Sequence, residues 1–257
     1  MSQPEFIEVG NPEDIRQIAV RRLKGQSPGL VWLGGYRSDM MGTKAEALEN
    51  WARETGLACC RHDYSGHGES GGEFLEGTIS RWLEESLAVF DNYCSEGEHI
   101  LVGSSMGAWI ALRMIGELRA RGEAHRIKAL LLLAPAPDFT HELMRPRLSA
   151  EQLNEIEEKG FLEEPSEYSD EPNIFTKALF EDGERNRVMV DLVETDCPVH
   201  VIQGMQDDDV PYNHAMKLVS LLPDESVTMT LVKDGDHRLS RDQDIALILR
   251  VAGELAK

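Results

Sequence analysis

The chain has 257 residues, of which 46 are Asp or Glu and 26 are Lys or Arg, giving a formal charge of −20 at pH 7. This length fits one α/β domain with a sizeable core. Because so acidic a protein is repelled by phosphate backbones and anionic lipids, the charge argues against nucleic acid or a charged membrane surface as a partner.

The N-terminal part predicts a hairpin and then a buried strand. Alternating residues from Phe6 to Leu23 predict an antiparallel edge hairpin that turns near Asn11-Pro12. A second turn is predicted at Gly25-Gln26-Ser27-Pro28-Gly29. The strand Leu30-Val31-Trp32-Leu33 follows and stops at Gly34-Gly35-Tyr36, a loop whose glycines allow backbone N–H groups to approach a ligand.

A helix, a strand and a glycine-rich loop come next. The capping-box pattern Thr43-Lys44-Ala45-Glu46 predicts the start of the helix, and Gly56 its end. Leu57 to His62 is a predicted strand. Because the segment from Asp63 to Gly72 is rich in glycine and polar residues, we expect it to be a surface connection.

The middle of the chain alternates helix and strand. Helices are expected from about Thr78 to Tyr93 and from Ala108 to Arg121, on either side of an apolar strand that begins at His99. The segment from Ile127 to Leu133 is nearly all apolar, as in a central parallel strand. This alternation predicts an α/β fold, a mostly parallel sheet with helices on both faces.

The alternation stops between residues 139 and 196, a charged, turn-rich segment with a helix capped at Ser149-Ala150-Glu151-Gln152. We expect a single domain, 1–257, in which 139–196 is an inserted helical lid; an ordinary pair of surface helices is the alternative. The remaining predicted elements are a strand from Pro198 to Gly204, a helix from about Tyr212 to Leu221, a strand from Val227 to Val232, and a closing helix capped at Ser240-Arg241-Asp242-Gln243.

The strand after His99 ends in Gly103-Ser104-Ser105-Met106-Gly107, which matches the G-x-S-x-G pattern of a nucleophile elbow. Glycines two residues before and after the serine remove bulk where backbone segments come close. The following helix directs N–H groups and the positive end of its dipole toward the space beside the serine hydroxyl. We therefore predict Ser105 as a nucleophile, with a plain turn serine in a chance match as the alternative.

Two further candidate catalytic residues follow the ends of predicted strands. Asp207 comes after the strand that ends at Gly204, and His237 comes after the last strand. The order Ser105, Asp207, His237 is nucleophile, acid, histidine, which is typical of an α/β-hydrolase fold. His237 would take the serine proton as general base, while Asp207 holds the imidazole in one tautomer.

Other carboxylates compete with Asp207 for this role, namely Asp208, Asp209 and, at the strand end before the insertion, Asp138. The acidic triplet also resembles a weak cation site, but the glycine and glutamate positions of an EF-hand are missing. No metal and no cofactor are therefore predicted. The alternative for His237 is an ordinary surface histidine with no catalytic role. The remaining histidines, including His62, His67 and His214, are interpreted as structural or exposed.

The anion hole is predicted to use the backbone N–H groups of Tyr36 and Met106. Methionines recur at loop ends that should line the cleft, where soft side chains suit a flexible acyl chain, although core packing is the alternative for each. The predicted substrate-binding methionines are Met40, Met41, Met144 and Met205. Arg37 and Arg238 flank the site, and we hypothesise that they meet a carboxylate of the substrate.

The cysteines show no metal-binding or redox spacing. Cys59 and Cys60 are adjacent in an apolar strand, and Cys94 and Cys197 stand alone, so we expect reduced, mostly buried thiols of an intracellular protein. The first residues contain no basic region before an apolar run, and no segment is long and apolar enough to span a bilayer. The sequence therefore predicts a soluble cytoplasmic protein with no membrane span and leaves the oligomeric state open.

Taken together, these motifs resemble the α/β-hydrolase superfamily, and more narrowly the branch of mitochondrial palmitoyl-protein thioesterases and acyl-glucuronide esterases. The stretches that carry the narrower likeness are Leu23-Lys24-Gly25, Ser27-Pro28-Gly29, Gly35-Tyr36, Gly42-Thr43-Lys44-Ala45, Asp63-Tyr64-Ser65-Gly66, Gly103-Ser104-Ser105, Gly204-Met205 and Asp236-His237-Arg238. The resemblance implies Ser105, Asp207 and His237 as the triad. It also implies hydrolysis of carboxylic esters or thioesters; the N-terminus differs, because no transit peptide is seen.

The expected function is thus a cofactor-free serine hydrolase that acts on a small-molecule or acylated substrate through an acyl-enzyme. A non-catalytic ligand-binding protein on the same fold is an alternative of a different class, because a fold alone does not establish an activity. Peptidase, lipase and carbon–carbon hydrolase activities also remain open.

Overall fold

The computed structural model describes residues 3–165, 172–223 and 225–257. Its strands are β1 (Glu5–Val9), β2 (Arg16–Leu23), β3 (Gln26–Leu33), β4 (Leu57–His62), β5 (His99–Ser104), β6 (Ile127–Leu133), β7 (Phe161–Glu164), β8 (Asn173–Thr176), β9 (Val199–Gly204) and β10 (Val227–Val232). Its α-helices are α1 (Thr43–Thr55), α2 (Ile79–Tyr93), α3 (Met106–Ala120), α4 (Ala150–Lys159), α5 (Lys177–Arg185), α6 (Tyr212–Leu221) and α7 (Asp242–Leu255).

Eight strands form one sheet in the order β1-β2-β4-β3-β5-β6-β9-β10. β2 pairs antiparallel with β1 and with β4. The six strands β4, β3, β5, β6, β9 and β10 run parallel to one another. The predicted edge hairpin is therefore confirmed. The turn expected from Gly25 to Gly29 is wrong, because β3 already begins at Gln26, which pairs with Leu57 before a bulge.

The core lies on both faces of the sheet, as the alternation of strand and helix predicts. On one face, Trp82 of α2 and Trp109 of α3 are fully buried among sheet residues. On the other, Leu48 of α1 and Ile248 of α7 pack over β3, β5 and β6. Helices covering both faces of a mostly parallel sheet make this an α/β fold, as the sequence predicts.

One helix end and one helix start agree with the prediction, whereas two other helix starts differ from it. Gly56 ends α1 in the left-handed region at φ 76°, and Ser149 forms the expected capping box with Gln152. At α1, however, Gly42 is the capping residue and Thr43 is already helical. At α7 the cap is Arg241, one residue later than expected.

The segment from Asp63 to Gly72 is a surface connection only in part, because its first three residues are buried, whereas Gly71 and Gly72 at its end are exposed. The Asp63 side chain is 2% exposed, and its carboxylate accepts the backbone N–H groups of Met40 at 2.6 Å and Glu69 at 2.9 Å. A Cβ on Gly68 would lie 2.2 Å from Asp63 Oδ2. The glycines thus allow the loop to wrap around a buried carboxylate, a role that composition alone does not reveal.

Between β6 and β9 the chain leaves the sheet and forms α4, the antiparallel pair β7 and β8, and α5. The small sheet was not predicted, because its two strands have only four residues each. Leu162 and Phe175, one from each strand, are buried and belong to the main core. In the described part of the chain, no helix has both the length and the apolar character needed to cross a bilayer.

Candidate active site

Ser105 lies at the turn between β5 and α3, with φ 54° and ψ −117°. A Cβ on Gly103 would lie 2.5 Å from the Gly107 carbonyl oxygen. A Cβ on Gly107 would lie 2.1 Å from the carbonyl oxygen of Leu33 in β3. Both glycines are therefore required by close backbone approach, as expected for a sharp strand-to-helix turn.

His237 connects Ser105 with Asp207. Its Nε2 lies 3.1 Å from Ser105 Oγ, and its Nδ1 lies 2.9 Å from Asp207 Oδ2. Because an ionised carboxylate only accepts hydrogen bonds, Nδ1 carries the proton and Nε2 accepts from the serine hydroxyl. The three residues thus have the connectivity needed to activate a serine nucleophile.

The carboxylate of Asp207 is fully buried and has two further donors. The Val210 backbone N–H donates to Oδ1 at 2.7 Å, and Gln203 Nε2 donates to Oδ2 at 2.9 Å. Gln203 was not among the residues predicted from the sequence. The available signal was a single polar amide in the otherwise apolar end of β9, immediately before Gly204.

The competing carboxylates occupy other positions. Asp138 is buried and accepts the N–H groups of Val188 and Met189 at 2.8 to 3.1 Å, so it anchors the chain that leaves α5; burial raises the pKa of its carboxyl. Asp208 is exposed, and Asp209 lines the cavity described below.

Carboxylate and imidazole ligand atoms of Asp207, Asp209 and His237 lie within 4.8 Å of one another. Both ring nitrogens of His237 and both carboxylate oxygens of Asp207 are already engaged in hydrogen bonds. This geometry favours a triad over a metal site.

Ser105 and His237 open onto a cavity of about 550 Å³. Apolar residues that line it are Tyr36, Met106, Ala136, Phe139, Leu143, Met144, Phe175 and Val210. Charged residues that line it are Arg37, Asp39, Lys44, Arg147, Asp209 and Arg238. The cavity therefore combines an apolar surface with several charges.

The predicted methionines separate into two groups. Met144 lines the cavity and is 2% exposed. Among the residues that the structure describes, Met40, Met41 and Met205 do not line the cavity, so the prediction that they bind substrate is corrected. Met40 is instead buried above Asp63, which accepts its backbone N–H.

The loop Gly34-Gly35-Tyr36 lies against Ser105, because a Cβ on Gly35 would be 3.4 Å from Ser105 Cβ. The Tyr36 ring stacks on Phe175 of β8 with centroids 5.1 Å apart, and its hydroxyl donates to the Ile174 carbonyl. Tyr36 thus joins the loop beside Ser105 to the segment between β6 and β9.

Burial lowers the pKa of several titratable side chains. Desolvation lowers the pKa of His62 and of His67 to about 4, and it also lowers the pKa of His214. The three histidines are buried, which agrees with their structural interpretation. Desolvation, together with the charge of Arg238, lowers the pKa of Lys44 to about 8.

All four cysteines are free; Cys59, Cys60 and Cys94 are buried, and Cys197 is half-buried. Burial raises the pKa of the Cys59 thiol to about 12. Three of the four thiols are therefore buried, as expected.

The fold and the serine elbow define a protein of the α/β-hydrolase class. Residues 35–163 match the Hydrolase_4 family model, described as serine aminopeptidase, S33, and the chain belongs to this α/β-hydrolase family. It is similar to the mitochondrial palmitoyl-protein thioesterase ABHD10 of Pongo abelii, with 35% identity over 95% of this chain and 78% of the relative.

Two solved structures extend this likeness. A putative hydrolase from Agrobacterium vitis S4 has 52% identity and a TM-score of 0.97 over 99% of each chain. Mouse alpha/beta hydrolase domain-containing protein 10 has 32% identity and a TM-score of 0.86 over 99% of this chain and 98% of the mouse chain. The resemblance drawn from the sequence motifs is thereby confirmed.

Proposed function

We propose that this protein is a serine hydrolase that cleaves carboxylic ester or thioester bonds of acyl substrates. The observation that carries the proposal is the pair of hydrogen bonds that leads from Asp207 through His237 to Ser105 Oγ, at 2.9 and 3.1 Å. The relatives named as palmitoyl-protein thioesterases support the same class of reaction.

In the proposed mechanism, Ser105 Oγ attacks the acyl carbonyl carbon while its proton passes to His237 Nε2. Collapse of the tetrahedral intermediate breaks the bond to the alcohol or thiol, which leaves with that proton. Water then gives a proton to His237 and attacks the acyl-serine, which releases the acid and restores the hydroxyl. Throughout, Asp207 holds the imidazole through Nδ1–H.

The negative charge on the intermediate needs donors beside Ser105. We assign this role to the backbone N–H groups of Tyr36 and Met106, since both residues line the cavity with Ser105. Met106 is the first residue of α3, so the helix dipole adds positive potential at the same place. Such a donor contributes on the order of 3 kcal/mol to the transition state.

We further propose that the 139–196 insertion acts as a lid that selects the acyl group. Phe139, Met144 and Phe175 of this segment supply apolar surface to the cavity. Shortening one of them in Phe175→Ala should raise KM for long acyl esters more than for acetyl esters, because only a long chain reaches that surface. Equal changes for both esters would contradict the assignment.

A fluorophosphonate label tests the nucleophile directly. The wild-type protein should be modified at Ser105, and Ser105→Ala should lose both the label and the turnover of p-nitrophenyl esters. Ser220→Ala, at an exposed serine of α6, serves as the matched control and should keep both. Turnover that survives in Ser105→Ala would disprove the proposal.

A peptidase is the second candidate, because the matching family model is described as a serine aminopeptidase. The same triad attacks an amide carbonyl by the same steps. Acyl oxyesters, acyl thioesters of increasing chain length and aminoacyl anilides should therefore be assayed together. Higher kcat/KM for the anilides than for every ester would favour the peptidase.

The cytoplasm is proposed as the place of action, following the sequence prediction. Because the relatives similar to this chain are named as mitochondrial, fractionation of cells that express the full chain is the decisive measurement. Recovery in an organelle fraction would contradict the proposal.

A further inference from the structure

Gln203 is a buried amide in β9 with no exposed surface. Its Nε2 lies 2.9 Å from Asp207 Oδ2, 3.0 Å from the Val210 carbonyl oxygen and 3.0 Å from the Gly204 carbonyl oxygen. All three neighbours are acceptors, so the amide has to present its nitrogen to them and turn its oxygen away. The orientation of this side chain is thus fixed by chemistry.

The opposite end of the amide has no such support. Gln203 Oε1 is buried and has no hydrogen-bond partner among the described residues. A buried carbonyl oxygen without a donor destabilises the folded state, which an apolar residue at this position would avoid. The amide therefore calls for an explanation beyond packing.

We infer that Gln203 is a positioning residue that fixes the Asp207 carboxylate for the Ser105–His237 pair. Gln203 Nε2 and His237 Nδ1 donate to the same oxygen, Oδ2, while the Val210 N–H holds Oδ1. These three donors together hold the Asp207 carboxylate in a single orientation. Gln203 also binds the Val210 carbonyl, which ties down the loop that carries Asp207.

This inference rests on the proposed hydrolase function, and two substitutions of nearly equal length test it. Gln203→Met keeps the side-chain length but has no donor. In Gln203→Glu, the introduced carboxyl has one O–H group, which is able to donate to Asp207 Oδ2 while the carboxyl is protonated. Beside Asp207 it is expected to hold its proton to a higher pH than an isolated carboxyl, because two carboxylates in contact resist ionising together.

We expect Gln203→Met to lower kcat by roughly 10- to 100-fold with little change in KM, by analogy with the loss of groups that orient metal ligands. At about pH 6, the kcat of Gln203→Glu should be at least tenfold higher than that of Gln203→Met. That advantage should disappear as the pH rises and the introduced carboxyl ionises. With kcat expressed per folded molecule at each pH, a merely structural role predicts a ratio that does not depend on pH, and such a flat ratio would overturn the inference.

The controls separate this inference from the proposed function. Gln206→Met makes the same change at an exposed glutamine and should leave kcat and its pH profile unaltered. Fluorophosphonate labelling of Ser105 in the wild type is measured first, since its failure would disprove the hydrolase itself. If Gln203→Met does not melt cooperatively, Gln203→Asn replaces it: the shorter amide cannot span the same distances, and full kcat in that variant would overturn the inference.

Discussion

His237 donates its Nδ1 proton to Asp207 at 2.9 Å, which fixes the tautomer in which Nε2 faces the serine hydroxyl. In Asp207→Asn the amide nitrogen is able to occupy the same place, and it would favour the opposite tautomer. We expect kcat for p-nitrophenyl esters to fall by roughly 10³- to 10⁴-fold, with the fold retained.

Asp208→Asn is the matched control for this prediction, because Asp208 is the exposed neighbour of Asp207. It should retain wild-type kcat. Equal activity of the two variants would show that another carboxylate orients the imidazole.

Gly107 and Gly116 offer a paired test of the elbow, because both lie in α3 but only one is crowded. A Cβ on Gly107 would lie 2.1 Å from the Leu33 carbonyl oxygen, whereas a Cβ on Gly116 would have no neighbour within 4 Å. We expect Gly107→Ala to lower the free energy of unfolding by at least about 3 kcal/mol, the upper range for overpacking, and to abolish esterase activity.

Gly116→Ala should instead raise the free energy of unfolding by about 0.5 to 1 kcal/mol, because alanine is the better helix former. Urea denaturation measures both changes. A Gly107→Ala protein as stable as the wild type would mean that the backbone contact with β3 is easily relieved.

The sequence predicted those parts of the fold whose signal is local. β6 is apolar except for Lys128, and its predicted bounds match the structure. The order of serine, acid and histidine likewise depends only on which residue follows which strand. Parallel strands bring such residues to one edge of the sheet, where the structure places Ser105, Asp207 and His237.

The features that were missed depend on distant contacts. Asp63 looks like a polar loop residue, yet it is buried because it accepts N–H groups from two separate segments. Gln203 becomes informative only when the loop carrying Asp207 folds back over β9. Met40 and Met144 both lie at predicted loop ends and both are buried, and only the packing places Met144 against the cavity.

Acid should destabilise the protein through its buried histidines. The pKa of His62 and of His67 is lowered to about 4 by burial, so their contribution to stability is present above the unfolded value near 6.5 and is lost as the pH falls toward 4. Each accounts for about 3 kcal/mol of unfolding free energy at the acid end of this range. His67 Nε2 accepts the Arg37 backbone N–H at 3.2 Å, and protonation removes that acceptor.

The variant His67→Gln tests this assignment, because glutamine is able to accept the same bond but does not titrate. Urea denaturation at several pH values should show a shallower loss of stability in acid than in the wild type. His125→Gln changes an exposed histidine and should leave the slope unchanged. Identical slopes for the wild type and His67→Gln would contradict the prediction.

Arg37 and Arg238 line the same cavity as Ser105, and this placement gives the predicted contact with a substrate carboxylate a direct test. A charged hydrogen bond contributes about 1.5 to 3 kcal/mol, so losing one should lower kcat/KM for a dicarboxylic monoester by roughly 10- to 100-fold relative to its neutral ester. We expect this change of ratio in both Arg37→Ala and Arg238→Ala. Arg250→Ala, at an exposed arginine of α7, should not alter it. An unchanged ratio in both cavity variants would contradict the hypothesis that these arginines bind a substrate carboxylate. It would leave the proposed role of Ser105 unaffected.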